Sequence, residues 1–509
     1  MNLIIGIKIL TTIFRMSQNI FFYNSYSREK EKFKPINNNY VGIYLCGPTV
    51  YGPPHIGHAR SSITFDLINR YLRFCGYNVK FIRNYTDVGH LEYDSDDGDD
   101  KIEKQAKKEN IEPMEIAQKY INIYRKDMQL LNCISPNVEP QATSCIQEQI
   151  EFAHELIKKG FAYEINGSVY FDVQKYNAKF GDYGVLSGRK IEELYSKTRE
   201  LKNQEEKKNN YDFALWKKAD ERHIMKWNSP WGFGFPGWHT ECVVLSKKYL
   251  GQFFDIHGGG IDLKFPHHEA EIAQTKATTG TRLANFWIHN NLVNINDQKM
   301  SKSLNNFITL DDLFFNENNI FNRTFSPSVL RFLFLETHYR STLNISSSAL
   351  ESAEKGYLKL MNTLKNVKNI ECNSSEDNAN EKIQENIEKI FGQIYFDLAD
   401  DLNTPKVLAN LFELSKIIND LDNNKISISE IGNIFFNKIK KNFSTIIEDV
   451  LGLKVPEVNT EYIDLILEIY KEAKWRKDFA QVDFLRSKMK HLGIVFCDKK
   501  ESVSWNYEI

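Results

Sequence analysis

One stretch, residues 41–77, limits what this chain can fold into more than any other. It opens with an apolar run at 41–46, which predicts a short buried strand. Apolar residues then recur at helical spacing over 61–77, and Gly76 is a typical helix stop. The motif His55-Ile-Gly-His58 lies between the two runs, so we place it where a strand ends and a helix begins.

This junction is suited to binding an anion, because a helix start presents free backbone N–H groups and the positive end of a dipole. His55 and His58 can donate hydrogen bonds to phosphate oxygens there, and Gly57 lets a nucleotide approach the backbone closely. The same spacing also occurs in a plain turn with two satisfied histidines. The motif alone leaves both interpretations open.

A second apolar run, 79–83, follows the predicted helix. Strand, helix and strand at this spacing form a βαβ unit with two parallel strands. We therefore predict an α/β fold with a parallel sheet. The acidic run from Asp94 to Asp100 predicts a solvated loop, because Gly98 stands where a calcium loop needs an acid. A helical pattern then covers 101–131.

Residues 132–230 look like an insertion into this pattern. They contain a predicted helix at 145–159 and a predicted hairpin at 163–171, with Asn166-Gly167 as its turn. Residues 197–210 are rich in lysine, glutamate and asparagine, which predicts a linker or surface loop.

From residue 326 onward the apolar periodicity is mainly helical. Bundle helices are predicted at 346–367, 383–398 and 405–421, followed by one or two helices over 462–492. This tail is basic, and Trp475 and Trp505 can either stack on bases or pack in a core.

The composition of the chain indicates its redox compartment and limits how it can bind nucleic acid. Seven scattered cysteines, an odd number, do not suit a disulfide framework and indicate a reducing compartment. The formal net charge of -2 means that a nucleic-acid partner must be bound by local basic patches.

Residues 1–15 form an apolar segment that is too short to span a membrane and that lacks a good signal-peptide cleavage site. We expect the functional start at Met16, with an organellar presequence as the alternative.

Zinc-ligand residue types occur at widely separated positions. The candidates are Cys46, Cys242, His267, His268, Glu269 and Glu271. If helical, His267 and Glu271 lie on one face and can reach one ion. On spacing alone, buried thiols and a capping histidine are the more common explanation of these residues.

Two further motifs suit a nucleotide. The triple glycine Gly258–Gly260 lets a flat ligand such as adenine approach the backbone. The sequence Lys299-Met-Ser-Lys-Ser303 places two lysines on a loop, although in isolation that spacing is more typical of a solvated turn.

Together and in this order, the motifs closely resemble the cysteinyl-tRNA synthetase family of class I aminoacyl-tRNA synthetases. The segments that carry the resemblance are Cys46-Gly-Pro-Thr-Val-Tyr, His55–His58, Gly237-Trp-His-Thr-Glu-Cys242, Asp255-Ile-His-Gly-Gly-Gly, Phe265-Pro-His-His-Glu-x-Glu271 and Lys299–Ser303. The resemblance extends from about Ser17 to the C-terminus.

The resemblance implies a particular domain order. Residues 1–16 would be a non-functional extension, and 17–325 a Rossmann-type catalytic domain that contains the insertion and the loop 299–303. Residues 326–455 would form a helical bundle that binds tRNA, and 456–509 a small anticodon-recognition region.

The resemblance also implies a zinc site made by Cys46, Cys242, His267 and Glu271, without His268 or Glu269. Zinc binds thiolate strongly and hydroxyl poorly, so the ion would select cysteine over serine. Four protein ligands usually mark a closed structural site, whereas a zinc ion that binds substrate needs an open position. A loosely held Glu271, or an expanded coordination number, would provide that position.

By the same resemblance, the enzyme activates L-cysteine with ATP and Mg²⁺, then transfers the cysteine to tRNA(Cys). The catalytic residues would be His55, His58, Lys299 and Lys302, of which His55, His58 and Lys302 would also bind ATP together with Gly258 and Gly259. Thr86 and Trp238 would line the substrate pocket. We expect a cytoplasmic monomer without membrane contact.

Three other functions compete with this interpretation. A cysteine-activating ligase that uses an amino sugar would share the adenylation site and the zinc, but would lack the long helical C-terminal region. A nucleotidylyltransferase with the same histidine motif would lack the zinc set. A catalytically silent tRNA-binding paralogue is disfavoured by the two intact signature motifs.

Overall fold

A computed structural model describes residues 19–91, 100–189, 206–221, 223–301, 304–316, 319–371, 379–456, 458–498 and 503–509. The chain divides into two compact units. The N-terminal unit comprises residues 1–316 and 339–343, and the C-terminal unit comprises 317–338 and 344–509. Residues 339–343 return to the first unit after the chain has entered the second.

The N-terminal unit mixes strands and helices. Its strands are β1 (Phe21–Asn24), β2 (Glu29–Lys32), β3 (Tyr40–Leu45), β4 (Asn78–Arg83), β5 (Ala162–Ile165), β6 (Ser168–Phe171), β7 (Phe213–Lys218), β8 (Trp227–Ser229), β9 (Gly232–Pro236), β10 (Phe254–Gly260), β11 (Ala284–Asn290), β12 (Val293–Ile295) and β13 (Gln298–Lys299). Its helices are α1 (Ile56–Phe74), α2 (Lys101–Glu109), α3 (Pro113–Leu130), α4 (Ile146–Lys158), α5 (Val173–Phe180), α6 (Trp238–Leu250), α7 (His267–Thr279) and α8 (Leu310–Phe314).

The predicted parallel sheet is confirmed. Its order is β11-β10-β3-β4, and each neighbouring pair is parallel, with Ile43 opposite Phe81 and Ile256. Strand β3 is buried along almost its whole length, which explains its continuous apolar sequence. The chain passes from β3 through α1 to β4 on one side, whereas β10 lies on the other side. The carboxyl ends of β3 and β10 therefore flank a topological switch point, where such sheets bind their ligands.

Helix α1 starts earlier than the apolar spacing predicted. The apolar spacing ran from residue 61, but the helix begins at Ile56 with His55 as its N-cap. The predicted position of the histidine motif at the start of a helix is therefore confirmed. A first turn capped by the histidine motif carries few apolar residues, so hydrophobic periodicity does not detect it.

The helical pattern predicted over 101–131 is confirmed, and the segment forms two helices rather than one continuous helix. Asn110 ends α2 in a left-handed conformation (φ 57°), and Pro113 starts α3 at its first turn. Asparagine tolerates this backbone conformation, and proline is favoured at a helix start. Of the acidic run 94–100, residues 94–99 lie outside the described residues. Asp100 is buried rather than solvated, and it caps α2 through hydrogen bonds from the N–H groups of Ile102 and Glu103.

The predicted insertion contains most of an antiparallel sheet of order β5-β6-β7-β9-β8, of which only β9 lies past residue 230. The helix at 145–159 and the hairpin at 163–171 are confirmed. Asn166 and Gly167 both have positive φ, as a tight hairpin turn requires. Of the predicted linker 197–210, residues through 205 lie outside the described part of the chain.

The C-terminal unit is mainly helical, as predicted. Its helices are α9 (Pro327–Glu336), α10 (Ser347–Asn369), α11 (Glu381–Ala399), α12 (Thr404–Asp422), α13 (Ile428–Ile431), α14 (Asn433–Ser444), α15 (Thr460–Trp475) and α16 (Phe479–His491). The strand β14 (Leu343–Ile345) spans the boundary of the two units, and β15 (Ile494–Asp498) pairs antiparallel with β16 (Val503–Tyr507). Trp475 is exposed, whereas Trp505 is buried and donates to the Oδ1 of Asp464 at 3.2 Å.

Among the helices of the described residues, none has both the length and the hydropathy that a transmembrane helix needs.

Candidate active site and metal centre

The site lies at the carboxyl ends of β3 and β10. Cys46 directly follows β3, and its N–H donates to the carbonyl of Gly258 in β10 at 3.1 Å. Cys242 is carried by α6, and His267 and Glu271 by α7. Folding thus gathers residues that are up to 225 positions apart in the sequence.

Cys46, Cys242, His267 and Glu271 form one compact cluster. Their potential ligand atoms lie within 4.8 Å of one another. The two Sγ atoms are 3.4 Å apart, and Glu271 Oε1 lies 3.6 Å from the Sγ of Cys46 and 3.2 Å from Nε2 of His267. Two thiols, an imidazole and a carboxylate are a donor set that suits zinc.

Two histidines outside the predicted ligand set adjoin this cluster. Nε2 of His268 lies 3.2 Å from Cys46 Sγ, and Nε2 of His257 lies 2.7 Å from Glu271 Oε2. Cys46, His257, His268 and Glu271 therefore make a second group that could hold a metal ion. Glu269 faces elsewhere, accepting from the backbone N–H of Ser187 at 3.0 Å.

The electrostatics of the cluster also suit a cation. Burial raises the pKa of the Cys46 thiol well above its ordinary value, and raises that of Cys242 to about 12, with Glu271 nearby adding to both shifts. Burial and the neighbouring imidazoles keep the pKa of His268 low. Acidic groups buried this close together cannot all ionise without a positive charge, which a bound metal ion would supply.

The histidine motif is built into the start of α1. Nδ1 of His55 accepts the N–H of Gly57 at 3.1 Å, and Nδ1 of His58 accepts the N–H of His55 at 3.2 Å. The two rings stack with centroids 3.7 Å apart. Because each Nδ1 is an acceptor, each neutral ring carries its proton on Nε2. Burial, followed by the proximity of His55, holds the pKa of His58 low.

The lysine motif begins on a short hairpin. Asn296 and Asp297 turn between β12 and β13 with positive φ, and Lys299 ends β13 rather than lying wholly on a loop. The Oδ1 of Asn306 accepts the N–H of Ser301 at 2.8 Å, and its Nδ2 donates to the carbonyl of Lys299 at 3.2 Å. One asparagine therefore links the first and third residues of the motif. Lys302 lies outside the described residues.

The two signature motifs lie side by side. The N–H of Leu310 donates to the carbonyl of Pro54 at 3.0 Å, and Thr309 forms a β-bridge with His55. Cε of Met300 lies 3.8 Å from the position that a Cβ on Gly57 would occupy. Segments far apart in the chain thus meet at the start of α1.

The glycines at the end of β10 are required by the protein itself. A Cβ on Gly258 would lie 1.9 Å from Cζ of Phe65 and 2.5 Å from the carbonyl oxygen of Ile288. A Cβ on Gly259 would lie 2.6 Å from Cδ1 of Leu263. Packing within the protein therefore already requires glycine at both positions, apart from any ligand.

Thr86 and Trp238 both lie near the cluster. The buried Thr86 donates its hydroxyl proton to Glu241, which also accepts from Nδ2 of Asn84 at 3.1 Å. Trp238 stacks on the predicted ligand His267, with centroids 4.4 Å apart. The sequence reasoning missed Glu241 and Asn84, since a single acid or amide beside a motif carries no signal of its own.

The comparisons with known proteins agree with this geometry. Residues 32–355 match the family described as tRNA synthetases class I (C) catalytic domain, and residues 394–454 match the DALR domain. The fold resembles a solved structure of Mycobacterium tuberculosis methionyl-tRNA synthetase bound by methionyl-adenylate, with a TM-score of 0.58, 12% identity and coverage of 82% of this chain and 92% of that one. Fold and site together define a class I aminoacyl-tRNA synthetase.

Curated relatives identify the family of the chain within this class. The cysteine–tRNA ligase of Porphyromonas gingivalis is 46% identical over 96% of this chain and 99% of its own length. That of Cytophaga hutchinsonii is 47% identical over 97% of this chain and 99% of its own length, and that of Chlorobaculum tepidum is 42% identical over 96% and 99%. The chain belongs to the cysteine–tRNA ligase family.

Proposed function

We propose that this enzyme is a cysteine–tRNA ligase, which activates L-cysteine with ATP and transfers it to the 3' end of tRNA(Cys). The observation that carries the proposal is the donor set of Cys46, Cys242, His267 and Glu271, gathered beside the switch point of the parallel sheet. Relatives with the same printed name, similar over almost their whole length, support it.

We infer that Cys46, Cys242, His267 and Glu271 hold a Zn²⁺ ion. Bound there, zinc supplies a soft Lewis acid that prefers a thiolate ligand to a hydroxyl, which would distinguish cysteine from serine. His257 supports the assignment, because its bond to Glu271 Oε2 fixes the carboxylate while Oε1 faces Cys46 and His267.

In the first step the carboxylate of cysteine attacks the α-phosphate of ATP, forming cysteinyl-adenylate and releasing pyrophosphate. No general base is needed, since the carboxylate is already ionised at neutral pH. We assign the Nε2–H groups of His55 and His58 to the phosphate oxygens, because both Nδ1 atoms are engaged by backbone N–H groups. Catalysis then consists of positioning and charge stabilisation.

Lys299 and Lys302 would neutralise the departing pyrophosphate, with Mg²⁺ accompanying ATP. The link between Asn306 and both Ser301 and Lys299 shapes the first half of this motif. Gly258 and Gly259 would pass beneath the adenosine, and Thr86 and Trp238 would line the cysteine pocket. In the second step the terminal ribose hydroxyl of the tRNA attacks the adenylate.

We assign tRNA binding to the helical C-terminal region, with 326–455 as the tRNA-binding bundle and 456–509 as the part that reads the anticodon. Its DALR match at 394–454 supports this role, as does the exposed Trp475, which offers a stacking surface. We propose that the enzyme works in the cytoplasm as a monomer.

Cysteine-dependent ATP–pyrophosphate exchange tests the proposal. It is measured on the wild type and on Cys242→Ala, with serine as the competing amino acid and zinc quantified in both proteins. We expect exchange with cysteine but not serine, and loss of both zinc and exchange in the variant. Cysteine selectivity in a zinc-free wild type would refute the zinc assignment. Charging of tRNA(Cys) separates a synthetase from an amino-sugar ligase.

A further inference from the structure

The half-buried indole of Trp238 stacks with two imidazole rings. The ring of His90 stacks on it with centroids 4.1 Å apart and planes 10° apart. The ring of His267 stacks on it with centroids 4.4 Å apart and planes 27° apart. His267 belongs to the proposed metal cluster, whereas His90 has no place in the function described so far.

His90 is held at both of its ring nitrogens. Nζ of Lys101 lies 2.7 Å from Nε2, and Oγ1 of Thr49 lies 2.5 Å from Nδ1. A lysine ammonium has no lone pair, so Nε2 accepts from Lys101 and Nδ1–H donates to Thr49. The ring is therefore kept in one tautomer and one plane.

Backbone hydrogen bonds hold this arrangement in place. The N–H of Lys101 donates to the carbonyl of His90 at 3.1 Å, and the N–H of Gly89 donates to Oδ2 of Asp100 at 2.9 Å. Lys101 is the first residue of α2, so its position relative to His90 is set by a helix start rather than by a flexible side chain alone.

The second partner of His90 belongs to the pocket itself. Thr49 forms a β-bridge with Thr86, and the N–H of Val50 donates to the carbonyl of Thr86 at 3.1 Å. His90 therefore contacts Trp238 directly. Through its hydrogen bond with Thr49, His90 is also linked to the backbone at Thr86. Both proposed pocket residues are linked to one histidine.

We propose that His90, oriented by Lys101, is a positioning residue that fixes the Trp238 indole for binding the substrate cysteine. This inference rests on the proposed function, since it assumes that Trp238 lines the cysteine pocket. With His90 removed, one face of the indole loses its support, whereas the ATP motifs and the four metal-cluster residues are left unchanged.

The test compares His90→Ala, His90→Phe and Lys101→Met with the wild type in the exchange assay. Phenylalanine keeps a flat ring against Trp238 but loses both ring hydrogen bonds. We expect His90→Ala to raise the KM for cysteine about 3- to 10-fold, the effect of losing one aromatic stack, with kcat and the KM for ATP unchanged. His90→Phe and Lys101→Met should give smaller increases in the KM for cysteine.

Lys107→Met, on the exposed face of α2, is the matched control and should have the kinetic constants of the wild type.

Zinc content is measured on every variant and should be unchanged, and thermal unfolding establishes that each variant is folded at the assay temperature. A KM for cysteine within twofold of wild type in His90→Ala would overturn the inference, as would a parallel loss of zinc and kcat, which indicates a general structural role. If His90→Ala does not fold, Lys101→Met decides the question, and a wild-type KM for cysteine there refutes the role. A wild type without cysteine-dependent exchange would instead refute the proposed function.

Discussion

Nε2 of His257 lies 2.7 Å from Oε2 of Glu271, and both side chains are completely buried. This bond occupies one carboxylate oxygen of Glu271 and leaves the other facing Cys46 and His267. A partner of this kind orients a ligand and raises its affinity for the metal.

Replacing His257 should therefore weaken metal binding without removing a ligand of the proposed set. We expect His257→Ala to lower zinc affinity about 10- to 100-fold, measured by competition with a chelator of known affinity. His154→Ala, an exposed histidine on α4, is the control. Unchanged zinc affinity in His257→Ala would show that Glu271 needs no support from this side.

Packing at the end of β10 predicts that Gly258 does not tolerate a side chain. A Cβ there would lie 1.9 Å from Cζ of Phe65, so either the ring or the sheet must move. We expect Gly258→Ala to lower the free energy of unfolding by about 1–3 kcal/mol, measured by urea denaturation. The additional change Phe65→Leu should recover part of this loss, so the two effects should not add.

Gly392→Ala is the matched control, since nothing lies within 4 Å of a Cβ at that position in α11. It should leave stability unchanged or raise it by about 0.5–1 kcal/mol, because alanine is the better helix former. Equal destabilisation by both substitutions would contradict the packing argument.

The carboxyl group of Asp127, on α3, makes the free energy of unfolding depend on pH. Burial, with Asp311 nearby, raises its pKa to about 7, and its Oδ2 has no hydrogen-bond partner within the described ranges. The unfolded chain ionises this carboxyl near pH 4. Ionisation is therefore easier in the unfolded state, so the free energy of unfolding falls as the pH rises from about 4 to 7.

Asp127→Asn should remove this penalty. We expect it to stabilise the protein at pH 8 by about 1–3 kcal/mol and less at pH 5, measured by urea unfolding at both values. Glu151→Gln, at an exposed position on α4, should show no such difference. A gain that is equal at both pH values would mean that the carboxyl does not titrate as described.

Asn306 is expected to support catalysis through the lysine motif. It accepts from the N–H of Ser301 and donates to the carbonyl of Lys299. Loss of two hydrogen bonds in Asn306→Ala should raise the KM for ATP or lower kcat about tenfold in pyrophosphate exchange, with the KM for cysteine unchanged. Asn306→Asp keeps the acceptor for Ser301 and should lose less. Equal constants in all three proteins would exclude this role.

Much of the fold was predictable because local patterns agreed with it. The alternation of apolar strands with the helix after the histidine motif predicted the parallel sheet, and the Asn166-Gly167 turn predicted its hairpin. Boundaries were harder, as the early start of α1 and the break at Asn110 show. Capping side chains and a left-handed residue decide those points, and neither changes hydrophobic periodicity.

By itself, the sequence determined the family, because several motifs in a fixed order are far more specific than any one of them. It also supplied the residue types of the metal cluster and both signature motifs. Only the tertiary structure decided which side chains meet. The links of His257 with Glu271 and of His90 with Trp238 join residues from different elements, and spacing along the chain carries no information about such contacts. They arise because the carboxyl ends of parallel strands, and the helices packed behind them, converge at one edge of the sheet.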